Sequence, residues 1–196
     1  MKDLPTRCVH DGTLFDEKTA GVNTPIYPST SYAFIDRDET VYPRYLNTPN
    51  EKAVADKLAS LEEKEAALIL GSGMAAISST LFALLESGDH VVFQQGLYGG
   101  TTNFIVSEFR RFGIDYTFAG SQDTREILDA VTDRTRTIYL ETPSNPMLEI
   151  TDLAAVAEGA KERGIITIAD NTFASPVNQQ PGRQGIDIVL HSATKY

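Results

Sequence analysis

Cysteine occurs once in the chain, at Cys8, so no intrachain disulfide can form. No pair or cluster of Cys and His has metal-ligand spacing among the 3 histidines and the single thiol, so zinc has no signature here. A reducing cytoplasm is therefore the expected compartment. Positive charge is also scarce: 17 Lys and Arg stand against 27 Asp and Glu, a net charge of -10. That balance repels a phosphate backbone and removes the footprint that nucleic-acid binding requires. Long apolar runs are missing too. The opening MKDLPTRCVHDG contains no apolar signal-peptide core, and no uninterrupted run approaches a membrane span. Neither export by that route nor a membrane partner is expected.

What is present suits a globular α/β protein. The 196 residues are 41% hydrophobic, enough for one large buried core. Residues 1–48 lack periodicity and carry Pro5, Pro25, Pro28 and Pro43, each fixing φ and withdrawing a backbone donor. This segment is expected to form an extended arm. Residues 49–196 are expected to form one domain. It opens on NEKAVADKLASLEE, a predicted helix capped by Asn50 with Val54, Leu58 and Leu61 at helical spacing. Short apolar runs follow: AALIL at 66–70, HVVF at 90–93, IDYTF at 114–118, TRTIYL at 135–140, GIITIAD at 164–170 and DIVL at 187–190. Amphipathic segments separate them, notably MAAISSTLFALLES, TNFIVSEFRRF and TDLAAVAEGAKERG. Such alternation predicts a mostly parallel sheet with flanking helices. The chain stops at Tyr196, just past a predicted strand and loop, and reads as truncated there.

Gly71-Ser72-Gly73-Met74-Ala75-Ala76 follows a predicted strand and opens a predicted helix. Free N–H groups and the helix dipole at such a turn suit a phosphate. The same letters fit a dinucleotide fingerprint, but that reading wants an acid at the end of the next strand, and HVVF runs instead into Gln94-Gln95. A plain tight turn without ligand is the third possibility. Further on, GIITIAD ends in Asp170 before Asn171-Thr172, and DIVL runs into His191-Ser192-Ala193-Thr194-Lys195. Both places are strand C-terminal ends, where open parallel sheets collect their ligands. Taken singly, these residues are turn formers, a helix cap and a solvated lysine. Taken together, they offer an amine, an acid and hydroxyl donors to an aldehyde cofactor with a phosphate tail. Tyr98 in GLYGGTT adds an aromatic face, unless it only anchors its loop.

The strings LGSGMAAI, LYGGT, LETPSNP, IADNTFASP and LHSATKY, in that order, resemble the successive signatures of the Cys/Met-metabolism PLP-dependent family. The resemblance implies a type I PLP-dependent transferase fold and pyridoxal 5'-phosphate as cofactor. It assigns the phosphate to the backbone N–H groups of Gly73 and Met74 and the hydroxyls of Ser192 and Thr194. Tyr98 would stack on the ring, Asp170 would face the pyridine nitrogen and Lys195 would bind the cofactor covalently. Asn145 and Thr172 would help position it. A Y-x-R motif at Tyr42 and Arg44 would reach a neighbouring subunit's phosphate, implying a homo-oligomer, a dimer of dimers, with shared sites. The motif's usual N-P-T continuation is here Asn47-Thr48-Pro49-Asn50. The family's C-terminal domain, with its arginine for the substrate carboxylate, is absent from this chain.

The expected activity is elimination or replacement at a C–S or C–O bond of a sulfur amino acid or O-acylhomoserine, of cystathionine γ-synthase or lyase type. O-acylhomoserine sulfhydrylase is an alternative, favoured by the apolar Val41 before the Y-x-R motif. Methionine γ-lyase is another, disfavoured because Gly100 stands where those enzymes resemble one another in a cysteine. A non-catalytic PLP-binding fragment is the reading from a different class.

Overall fold

A computed structural model describes residues 3–195. Met1, Lys2 and Tyr196, the last closing the LHSATKY string, lie outside the described residues. Contacts divide the chain into two compact units, Met1–Ile69 and Leu70–Tyr196.

The N-terminal unit contains a helix that sequence periodicity did not reveal. Helix α1, Leu4–His10, starts at Asp3, whose carboxylate accepts the Thr6 N–H at 2.9 Å. The arm is therefore not extended throughout. So short a helix needs tertiary support, and it receives it from α2, Pro49–Glu62. Arg7 is buried, donating from Nη1 to the Ser60 carbonyl at 2.6 Å and pairing with Glu63 at 3.0 Å. Lys57 Nζ donates to the Cys8 carbonyl at 2.8 Å. Gly12 closes this contact at φ +70°, where a Cβ would run into the Ala53 carbonyl.

Helix α2 is capped by Thr48, not by the expected Asn50. Thr48 Oγ1 accepts the Glu51 N–H, and the Glu51 carboxylate accepts the Thr48 N–H at 3.1 Å. This reciprocal box is worth about 1 kcal/mol, and Pro49 suits the first helical position. Asn50 fastens the arm instead, its Oδ1 accepting the Tyr27 N–H and its Nδ2 donating to the Pro25 carbonyl, each at 2.9 Å. The buried face is Ala53, Ala59 and Leu61, while Val54 is half exposed.

AALIL, at 66–70, forms no strand. The segment crosses the junction between the units, and among the described residues none pairs with it. An apolar run becomes a strand only with a partner to bond. The other five predicted strands do form. In chain order the elements are α3 Gly73–Leu84, β1 His90–Phe93, α4 Gly99–Glu108, β2 Asp115–Phe118, α5 Thr124–Asp129, β3 Thr135–Glu141, α6 Leu153–Lys161, β4 Ile166–Asp170, α7 Ser175–Asn178 and β5 Ile188–Leu190. The short α5, announced only by its Asp123 cap, was not foreseen. The sheet is parallel in the order β2-β1-β3-β4-β5. The α/β class with flanking helices is thus the observed one, and among the described residues no helix is long and apolar enough to cross a membrane.

Side chains alternate between two buried layers, as strand geometry requires. Val91, Phe93, Tyr139, Ile168 and Leu190 pack with Ile77 and Leu81 of α3 and Ile105 of α4. Val92, Ile138, Leu140 and Ala169 pack with Ile127 of α5 and with Leu153 and Val156 of α6. Strand β1 lies between β2 and β3, so the chain reverses its direction across the sheet there. A crevice opens at such a switch point, at the strands' C-terminal ends.

At the opposite end of β1, His90 is buried between two hydroxyls, with Thr135 Oγ1 at 2.8 Å from Nδ1 and Thr117 Oγ1 at 2.9 Å from Nε2. Burial pushes its pKa down, and Arg134 adds to the effect. A histidine depressed in the folded state contributes stability above its unfolded pKa, and that contribution is lost as pH falls. The urea midpoint should therefore drop on acidification below about 6.5, the unfolded histidine value. His90→Asn should flatten that slope, and an unaltered slope in the variant would rule out His90 as its source.

Candidate active site

Local sequence explains why reactive groups meet at one edge. Parallel strands β4 and β5 pair Asp170 with Leu190, so the segments that follow them, IADNT and LHSATK, leave the sheet side by side. Helix α3 brings the glycine turn to the same place. Ser72 caps it, its Oγ accepting the Ala75 N–H at 3.0 Å. Gly73 comes so close to β5's loop that a Cβ there would lie 2.7 Å from both Cβ and Oγ of Ser192. Only glycine leaves room for that approach, and Met74 packs partly buried on the core below.

Hydrogen bonds link the rest. Thr172 N–H donates to Asp170 Oδ1 at 3.0 Å, and Thr172 Oγ1 accepts the Ser192 N–H at 2.8 Å. Ser192 Oγ and Thr194 Oγ1 stand 3.1 Å apart, and Lys195 Nζ donates to Thr194 Oγ1 at 3.1 Å. Asp170 is buried, whereas Lys195 and Thr194 are exposed. Gly73, Asp170, Thr172, Ser192, Thr194 and Lys195, scattered over the sequence, therefore occupy one neighbourhood.

Tyr98 is the N-cap residue of α4 and is half exposed. The ring lies over Gly100, where a Cβ would come within 2.5 Å of Tyr98 Cε1. Asn145 is exposed in the loop after β3. Tyr42 and Arg44 belong to the N-terminal unit. Arg44 is exposed in a single 3-10 turn, Pro43–Tyr45, and Tyr42 meets Tyr45 edge-on at 5.2 Å between ring centres. Asn47 of the departing motif pins this turn, accepting the Tyr42 N–H at 3.0 Å and donating to the Thr40 carbonyl at 2.9 Å.

Two polar groups at this edge were not singled out from sequence. Glu141, the last residue of β3, is 4% exposed and lies in register beside Asp170. Its Oε2 accepts the Tyr98 N–H at 2.7 Å. Burial pushes its pKa up to about 7, with Asp170 reinforcing and the Tyr98 and Asn145 backbone N–H groups opposing the shift. Tyr139, two residues earlier and fully buried, points its hydroxyl at Asp170 Oδ2 over a long 3.5 Å. Burial, then Asp170 and Glu141, push this phenol's pKa well up, so it stays a neutral donor. The available signal was a hydroxyl and an acid at alternate positions ending an apolar strand, TRTIYLE.

The donor set suits a phosphate-bearing aldehyde: a cradle that a Cβ would fill, two hydroxyls, an amine and a buried carboxyl. It does not suit a dinucleotide, because Gln94 after β1 is buried and donates its amide to the Glu141 carbonyl, leaving no acid for a ribose.

Comparison with known proteins agrees. The chain is 42% identical to cystathionine gamma-lyase of Bacillus subtilis over 193 residues, 97% of this chain and 51% of that protein. It is 44% identical to cystathionine gamma-synthase of Mycobacterium bovis over 195 residues, 97% of this chain and 50% of that protein. The crystal structure of cystathionine gamma-lyase from Lactobacillus plantarum complexed with L-serine superposes with a TM-score of 0.92 at 38% identity, covering 98% of this chain and 51% of that one. The chain spans about half the length of the curated relatives it matches. The family model of the Cys/Met metabolism PLP-dependent enzymes matches residues 5–196, and the chain belongs to that family.

Proposed function

We propose that the full-length protein catalyses elimination or replacement at the C–S or C–O bond of a sulfur amino acid or O-acylhomoserine, in the manner of a cystathionine γ-synthase or lyase. The convergence of Lys195, Thr194, Ser192, Gly73, Thr172 and Asp170 on one sheet edge is the observation that carries this reading.

When bound, PLP supplies an aldehyde that condenses with amines and a ring that accepts electrons from the substrate's Cα. Gly73 and Met74 N–H groups and the Ser192 and Thr194 hydroxyls hold its phosphate. Tyr98 offers a stacking face, while Asn145 and Thr172 orient the ring. Asp170 holds a proton at the pyridine nitrogen, assisted by Tyr139, whose hydroxyl donates to its Oδ2. The Lys195 amine would take the Cα proton, and Lys195 with Tyr98 would deliver a proton to the sulfur or oxygen that departs as its bond to carbon breaks.

Near-equal identity to a lyase and a synthase leaves the leaving group to experiment. Methionine γ-lyase activity ranks lower because Gly100 stands where those enzymes resemble one another in a cysteine. The test is turnover of the PLP-loaded full-length protein on cystathionine, methionine and O-acylhomoserine with sulfide. Turnover of cystathionine or O-acylhomoserine supports the reading. A loaded protein that turns over none of the three is a cofactor-binding protein only.

The proposal includes a dimer of dimers in which Arg44 reaches a neighbour's phosphate. A guanidinium bonds phosphate through paired donors, so Arg44→Ala should weaken PLP retention in a concentration-dependent way. Unchanged retention in a stable monomer would refute the shared site.

A further inference from the structure

Glu141 takes no part in the chemistry just described, yet it is the most deeply buried carboxyl at that edge. Its position follows from strand parity. Residues 139 and 141 of β3 face the same layer as residues 168 and 170 of β4, and the pairing sets Glu141 beside Asp170. Its carboxyl thus enters the crevice between β1 and β3, where it meets the start of α4.

Helix α4 needs an acceptor there. Its cap residue, Tyr98, makes no side-chain capping bond, and the residues after it are Gly99 and Gly100, the most freely turning of all. Glu141 Oε2 takes up the Tyr98 N–H at 2.7 Å. The start of α4 is thereby tied to the C-terminal end of β3, next to Asp170. Gln94 secures the acceptor's own backbone, donating to the Glu141 carbonyl while its Oε1 accepts from Thr151 at 3.2 Å.

We propose that Glu141 is a positioning residue that fixes Tyr98 against the cofactor ring beside Asp170. Its work is reach and acceptance, performed by a carbonyl-type oxygen at that spot. This inference rests on the PLP reading above for the identity of the ring, but the bond from the Tyr98 N–H to Glu141 exists without it.

The test uses Glu141→Gln, which keeps an oxygen at the same reach, and Glu141→Met, which keeps bulk and loses the acceptor. Amide hydrogen exchange of the full-length protein is followed by mass spectrometry, cofactor-free and cofactor-loaded, with residues 115–118 of β2 as the internal control. In Glu141→Met the Tyr98 amide should exchange at least about tenfold faster, the loss expected when a buried N–H is left without its acceptor, while the control is unchanged. At full loading, the visible circular dichroism of the cofactor should also collapse, because its ring loses the Tyr98 face. Glu141→Gln should restore both readouts. Should Glu141→Met fail to fold, Glu141→Asp replaces it: the charge is kept but the reach falls short, and the same loss is expected. Wild-type exchange in Glu141→Met or Glu141→Asp would overturn the inference, as would Glu141→Gln behaving like Glu141→Met. The cofactor-free exchange result does not depend on PLP, so its failure is separable from failure of the proposed function.

Discussion

Lys195→Ala in the full-length protein should bring turnover down to background while the polypeptide still retains PLP noncovalently. The proposed chemistry asks this amine both to bind the cofactor and to move the Cα proton, and Thr194 Oγ1 at 3.1 Å from Nζ is an acceptor that cannot replace a base. Removing a nucleophile that also serves as base costs several orders of magnitude, as removal of one member of a catalytic unit does elsewhere. The phosphate-holding groups are untouched by the substitution, since Ser192 still stands against Gly73 and Thr172. Borohydride should therefore fix cofactor to wild type and not to the variant. Near-normal turnover in Lys195→Ala would end the assignment.

The second large effect belongs to Asp170. Asp170→Asn preserves size and the N–H bond from Thr172, and it removes the negative charge. An amide cannot hold a proton at the pyridine nitrogen, so the ring becomes a poorer electron sink and Cα deprotonation slows. Turnover should fall by about tenfold to a thousandfold, the scale of losing one preorganised electrostatic partner in a dry site. Cofactor loading through Lys195 should persist. Absorbance and turnover measured on the same preparation decide the matter: full loading with undiminished turnover would make Asp170 a turn residue.

Asp170 and Lys195 were legible in the sequence because both follow apolar strands, and the sheet's parallel order gathers such ends along one edge. The five strands that formed were legible for a related reason: each is a short apolar run between helical segments. AALIL has the same local pattern and fails as a strand, because pairing is a property of two segments. Helix α1 was hidden by its length and its proline. Its stability comes from Arg7 reaching Ser60 and Glu63, contacts that no window of sequence contains. The cap at Thr48 could have been read, since Thr-Pro-Asn-Glu is a capping box with proline in first place. Asn50 matches a cap by residue type alone, and its side chain is engaged with the arm. Glu141 stayed hidden for a different reason. Its partner Tyr98 lies 43 residues away, and it points into the crevice only because β3 pairs with β4 in the register observed.

That register constrains how such a chain can vary. Adding or deleting a single residue inside β3 would invert its parity, turning Glu141 and Tyr139 toward α5 and α6 and presenting Leu140 and Ile138 to the crevice. The turns at the far edge, such as 130–134 before β3, carry no such constraint and can accept length changes at the modest entropy cost of a longer loop. Natural insertions should therefore accumulate upstream of the strands, and the spacing from Tyr139 through Glu141 to Asn145 should stay fixed in any member that keeps this geometry.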